Sequence, residues 1–262
     1  MSTLPRVWLI TGAASGFGKA MTERALENGD IVVATDVEPA GLSSLEAKRL
    51  RVREGDIWKV DIVFNNAGLG MAGELEGIPL HAARKVMEVN FWGASQVSLE
   101  AVRFFREENP PKAGGRLLIT SSMLGVASVP LGGYYSAAKY ALEGFTESLG
   151  AEVDPAWNLK ITLIEPGVFR TSLMSTGTIF PAHPAYSNNK TIRFIRKTLE
   201  NPNSSGDPLK AVREMYKLVE MDDPPFRLTL GKDALRLIKD KVGYLAEGLG
   251  PYESMSDDLE FS

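Results

Sequence analysis

Val7-Trp8-Leu9-Ile10-Thr11-Gly12-Ala13-Ala14-Ser15-Gly16-Phe17-Gly18 decides the reading of this chain. Four apolar residues in a row read as a buried strand. The glycines that follow let the backbone turn tightly and approach a ligand closely. From Gly18 to Asn28 the apolar residues Ala20, Met21, Ala25 and Leu26 fall on one helical face, and Gly29 stops the helix. A strand thus runs through a glycine turn into a helix N-terminus, whose free N–H groups and positive dipole end suit an anion such as a pyrophosphate. Gly12, Ser15, Gly16, Phe17 and Gly18 are the candidate contacts.

Outward from this stretch, short apolar runs alternate with amphipathic ones. Strands are predicted at 31–35, 61–64, 116–120, 160–164 and 226–230, and helices at 79–107, 135–153 and 234–245. Continuous apolar strands are two-sided, as in a parallel sheet covered on both faces by helices. The prediction is a doubly wound α/β sheet in one domain over 1–262. The Thr-, Ser-, Asn- and Pro-rich stretch 171–225 is read as an excursion that covers the C-terminal edge of the sheet as a substrate lid.

Composition removes several classes of function. The 262 residues are 44% hydrophobic and 24% charged, a globular balance. A net charge of -4 gives no field for gathering nucleic acid. There is no Cys, which rules out disulfides, thiol nucleophiles and thiolate metal sites. His81 and His183 are the only histidines, so no metal site is expected. No run approaches the ~20 apolar residues of a membrane helix. The N-terminus lacks a signal-like core, and a cytoplasmic protein with no membrane insertion is expected.

Asp36 closes the second predicted strand. A carboxylate there accepts hydrogen bonds from adenosine ribose hydroxyls and repels a 2′-phosphate, which favours NAD over NADP. Tyr135 and Lys139 stand four residues apart on one helical face. A phenol with its ordinary pKa of ~10 shuttles protons poorly at neutral pH, and a neighbouring ammonium lowers that value. Ser121 and Ser122 end the strand at 116–120, where one of them faces the ligand crevice; alternation alone does not choose between them.

These pieces together resemble the short-chain dehydrogenase/reductase family. The resemblance is carried by Thr11 to Gly18, Asn65-Asn66-Ala67-Gly68, Asn90, Ser121-Ser122, Tyr135-x-x-x-Lys139 and Pro166-Gly167, in the family's order over about 5–171. It implies a Rossmann-like fold and a hydride transfer between a nicotinamide and a carbinol or carbonyl carbon. Tyr135 would be the general acid/base, and Ser122, by its spacing, the residue that positions the reacting oxygen. Lys139 would bind the nicotinamide ribose and depress the Tyr135 pKa. Asn90 would hold a kinked helix and a water of the proton relay. Asn66, Ala67 and Gly68 would line the adenosine side, and Pro166, Gly167 and Val168 would pack near the nicotinamide. Thr171 would bond the carboxamide. NAD is the implied cofactor, with NADP as the lesser alternative.

One stretch departs from the family. Segment 37–64 is too short for the helix, third strand and second helix that the family places there. If 51–57 were that strand, with Asp56 as the adenine contact, the four residues 58–61 would have to cross two strands. Either the third strand is absent and 40–54 form the crossover, with Leu42, Leu45 and Leu50 facing the sheet, or the chain lacks a segment; the abrupt junction favours the latter.

Met123, Leu124, Val126, Leu173, Met174, Ile179 and Phe180 are the expected substrate-facing residues, and they suit a small hydrophobic alcohol or ketone. A homodimer or homotetramer is expected from the apolar surplus of the helix at 79–107 and from the family's pairing through it. Two rivals are a catalytically inactive or truncated nucleotide sensor on the same fold and a methyltransferase; the second leaves Ser122, Tyr135 and Lys139 without a role.

Overall fold

The computed structural model describes residues 5–38, 42, 59–173, 177–200 and 206–261. Its centre is a parallel six-stranded sheet. In chain order the strands are β1 (Val7–Thr11), β2 (Ile31–Thr35), β3 (Ile62–Asn65), β5 (Gly115–Thr120), β6 (Leu159–Pro166) and β8 (Arg227–Leu230), and across the sheet they run β2-β1-β3-β5-β6-β8. A separate two-stranded ribbon pairs β4 (Met71–Ala72) with β7 (Thr178–Ile179). The order reverses between β1 and β3, and a parallel sheet opens its binding crevice at such a point, beyond the carboxyl ends of the strands.

Both faces of the sheet are buried, as the two-sided strands require. On one face α1 (Gly16–Glu27) and α6 (Pro208–Lys217) pack together, with Met21, Ala25, Val212, Met215 and Tyr216 against Trp8, Ile10 and Phe64. On the other, α3 (Ala94–Glu107) and α4 (Gly133–Glu152) bring Val102, Phe105, Leu142 and Leu149 against Val63, Leu117, Ile119 and Leu163. Trp8, Phe64 and Leu142 are wholly buried. Each such side chain contributes roughly 1.5–3 kcal/mol.

Two readings of the sequence change here. The single helix expected over 79–107 is broken into α2 (Leu80–Met87), a π-helical turn (Glu88–Gly93) and α3. The excursion 171–225 divides. Its first half holds β7, which pairs with β4, and α5 (Lys190–Glu200), which is tied through Arg196 to Glu74, whereas α6 packs with α1 in the core. Finally, β2 is the edge of the sheet among the described residues. Between β2 and β3 the span 43–58, with Leu45, Leu50 and the candidate strand 51–57, lies outside the described residues, and Leu42 packs against the α1 face.

Candidate active site

The glycine turn is built by close approach to the loop after β3. Gly12 has φ +66°, and a Cβ there would stand 2.9 Å from Ala67 Cα. A Cβ on Gly18 would lie 2.1 Å from the Gly12 carbonyl oxygen, so a side chain there collides with backbone. Thr11 joins the two loops: its hydroxyl accepts from the Asn66 and Ala67 N–H groups at 2.9 and 3.0 Å, and its carbonyl accepts from Asn66 Nδ2. Ser15 is the N-cap residue of α1, yet its side chain does not cap the helix; its Oγ accepts from Ser172 at 2.7 Å instead. Phe17 is buried edge-on against Phe169, so its side chain packs rather than lines the crevice.

Asp36 reaches back from the end of β2. Its carboxylate accepts from the Ala14 N–H at 2.9 Å and from the Glu38 N–H at 3.0 Å, which fixes it beside the glycine turn. Asp56 lies outside the described residues.

The loop after β6 closes the far wall. The Gly167 N–H donates to the Leu230 carbonyl and the Val168 N–H to the Asp233 carboxylate at 2.7 Å. Pro166 ends β6 in register with Leu230. Thr171 lies against Gly16, where a Cβ would meet Thr171 Cβ at 3.3 Å. Asp233, in the first turn of α7 (Lys232–Leu249), was not legible as a fastener of this loop: the pair is 65 residues apart in sequence.

At the carboxyl end of β5 three consecutive residues meet α4. The Thr120 carbonyl accepts from Lys139 Nζ at 2.8 Å. Ser121 is buried on the side of Glu143. Ser122 lies beside the Tyr135 phenol, and its Oγ accepts from the Leu124 N–H at 3.1 Å. Strand alternation separates the two serines, and Ser122 is the one that meets the tyrosine. Burial pushes the Tyr135 phenol up to about 12, partly offset by Ser122. Burial also pulls Lys139 down to about 8, opposed by the charge of Glu143. Lys139 Nζ stands 6.0 Å from the centre of the Tyr135 ring.

Asn90 is wholly buried in the π-helical turn. Its Oδ1 accepts from the Leu69 N–H at 2.7 Å and its Nδ2 donates to the Leu69 carbonyl at 2.8 Å. A π turn widens the helix by one residue and re-aims its side chains, and here it turns Asn90 onto the loop after β3. Gly68 lies between Asn90 and Lys139; a Cβ on it would stand 3.3 Å from Asn90 Oδ1 and 4.0 Å from Lys139 Nζ.

The ribbon of β4 and β7 and the helix α5 are joined by an ion pair that the sequence did not disclose. Glu74, buried after β4, holds the Arg196 guanidinium of α5 through both carboxylate oxygens, and Arg196 Nη1 donates to the Phe180 carbonyl at 3.0 Å. Arg196 keeps the Glu74 carboxyl at about 2. Met123, Leu124, Val126, Leu173 and Phe180 are half-buried, Ile179 is exposed, and Met174 lies outside the described residues. His183 caps its own turn, with Nδ1 accepting from the Ala185 N–H. No helix among the described residues is long and apolar enough to cross a membrane.

A family model described as short chain dehydrogenase matches residues 53–178. An uncharacterized oxidoreductase of Schizosaccharomyces pombe is 33% identical, over 96% of this chain and 90% of that protein. A 3-ketodihydrosphingosine reductase of Bacteroides thetaiotaomicron is 29% identical over 95% of this chain and 96% of its own length. Among solved structures, a short-chain dehydrogenase from Streptomyces avermitilis superposes with a TM-score of 0.86 at 28% identity, covering 98% of this chain and 100% of that one.

Proposed function

Because this chain belongs to the short-chain dehydrogenase/reductase family, and is an oxidoreductase on that ground, we propose that it interconverts a small hydrophobic secondary alcohol and its ketone with NAD as the preferred cofactor. The observation that carries this reading is the contact of Ser122 with Tyr135, with Lys139 one turn further along α4.

The cradle fits a dinucleotide. Gly12, Gly16 and Gly18 keep the backbone bare, and α1 begins with no acidic residue and no side-chain cap in its first turn, which leaves its N–H groups for a pyrophosphate. Asp36 beside that turn suits ribose hydroxyls and opposes a 2′-phosphate. When bound, the nicotinamide supplies the hydride acceptor or donor. Ser122 holds the substrate oxygen. Tyr135 is protonated at neutral pH and donates its proton to a carbonyl oxygen, or receives one from a carbinol in the reverse direction. Lys139 supplies positive charge beside the phenol, and Asn90 sets the loop that carries Gly68. Asn66, Ala67 and Thr171 border the same crevice. The half-buried Leu124, Val126, Leu173 and Phe180 supply an apolar wall, in keeping with the ketone substrate named for the Bacteroides relative. The exposed Trp92 and Leu99 of the α3 side suit pairing with a second copy, which light scattering tests.

Tyr135→Phe tests the mechanism. Turnover should be abolished while affinity for NAD stays nearly unchanged; a variant that keeps most of its turnover refutes the assignment.

A further inference from the structure

We propose that α7, with the segment that follows it, is a docking surface for a second copy of this chain, which lies antiparallel along it and is held by exchanged charges. The surface is separate from the α3 side and uses none of the groups around Tyr135.

α7 is anchored at one end. Ala234 is wholly buried, and Asp233 is turned inward onto the Val168 N–H. Leu237, Ile238 and Lys241 are half-buried, and from Val242 to Phe261 every residue is exposed. A few helical turns without packing are marginal in water, and Gly243 and Gly248 weaken these further. The free half also carries apolar side chains in a regular order. Leu235, Ile238, Val242, Leu245 and Leu249 follow one another at steps of three, four, three and four residues, the spacing of a seam between paired helices. All but Ile238 are exposed, and Tyr252 continues the apolar surface beyond the helix.

The charges identify what covers this seam. Lys232, Arg236 and Lys239 share one face of the anchored half and line a shallow groove with Leu235. After Lys241 there is no further cation, and the segment carries Glu247, Glu253, Asp257, Asp258 and Glu260. Among the described residues none of these three cations or five carboxylates enters an ion pair. One end of the surface is therefore cationic and the other anionic, and neither is compensated within the chain. A parallel second copy would set like charge on like. An antiparallel copy sets the acidic end of each chain over the cationic groove of the other, the same contact made twice about a twofold axis. The acidic end also opposes the anionic surface of a membrane.

Sedimentation equilibrium of the full chain tests this. Leu245→Glu should halve the wild-type mass at micromolar concentration, and so should the double variant Arg236→Glu, Lys239→Glu. Far-ultraviolet circular dichroism should show the fold retained, because all three side chains are exposed. Either variant decides if the other does not fold. Adding Glu253→Lys and Asp257→Lys to the double variant reverses both ends and should restore the mass. A monomeric wild type, or a mass that Leu245→Glu leaves unchanged, overturns the proposal. A double variant that assembles as well as wild type overturns the antiparallel pairing, and so does a folded fourfold variant that stays dissociated. Flotation with phosphatidylcholine–phosphatidylserine vesicles should show no binding; binding that Leu245→Glu abolishes assigns the face to a membrane and overturns the proposal.

Discussion

Replacing Glu74 by Gln should loosen the ribbon of β4 and β7 while leaving the six-stranded sheet intact. The carboxylate is buried, and its two oxygens hold Arg196 Nε and Nη2 and the His183 N–H. Arg196, with burial opposing it, brings the Glu74 pKa from 4.5 to about 2. A shift of that size corresponds to roughly 3 kcal/mol at about 1.4 kcal/mol per unit. Water reaches Arg196, which is 16% exposed, and screening reduces the figure to about 2 kcal/mol. The pair ties α5 and Phe180 to the loop after β4, so the loss falls on the ribbon of β4 and β7. Hydrogen exchange at the Thr178 and Phe180 amides, which donate to the Gly70 and Ala72 carbonyls, reads it directly. Exchange there should speed up about 30-fold in Glu74→Gln at neutral pH, at tenfold per 1.4 kcal/mol, and substrate KM should rise. The sign of the pH dependence follows from a folded-state pKa that is depressed. The stabilisation is complete above 4.5 and fades as pH falls towards 2. The gap between wild type and variant should therefore be level from neutral pH to about 4.5 and close below it. Equal protection in the two proteins, or a gap that acid leaves unchanged, would refute the clamp.

Two further outcomes are expected. Asp36→Ala should relax the preference for NAD, read as the ratio of kcat/KM with NAD to that with NADP; an unchanged ratio removes Asp36 from the site. Asn90→Ala leaves the Leu69 N–H and carbonyl without partners and should cost about 1–3 kcal/mol in urea unfolding. Unchanged stability would mean that Asn90 does not fix the loop after β3.

Much of this molecule was legible because its signals are local. The strands are continuous apolar runs, and Tyr135 and Lys139 are four residues apart, so periodicity alone places them. The choice between Ser121 and Ser122 needed the family's spacing, because alternation says that the two serines diverge but not which way. What stayed hidden is long-range. Arg227 meets Glu143 and Glu165 across 84 and 62 residues, and Arg196 meets Glu74 across 122. Each is an ordinary charged residue in its own window. Glu143 carried a local signal, the same four-residue step continued beyond Lys139, but nothing in sequence separates a buried carboxylate from a solvated one. The π turn at Glu88–Gly93 was invisible for a similar reason: one extra residue per turn leaves an amphipathic pattern almost intact over so short a span.

The shortened stretch between β2 and β3 also becomes intelligible in terms of the sheet. Neighbouring strands lie about 4.8 Å apart, so β2 and β3, which flank β1, are only about 10 Å apart. A return from the carboxyl end of β2 to the amino end of β3 adds about 17 Å for a strand of this length. The span 36–61 reaches several times that distance when extended, at about 3.3 Å per residue. A third strand outside β2 would lengthen the path in both directions. The cost falls on one side of the molecule. Asp36 and the glycine turn stand together on β2, β1 and α1. Ser122, Tyr135, Lys139 and Asn90 come from β5, α4 and the π turn, all later in the chain than β3 and on its other side. Under the proposed function, the stretch beyond β2 bears on the adenosine end of the site, and Ser122, Tyr135, Lys139 and Asn90 stand on elements apart from it.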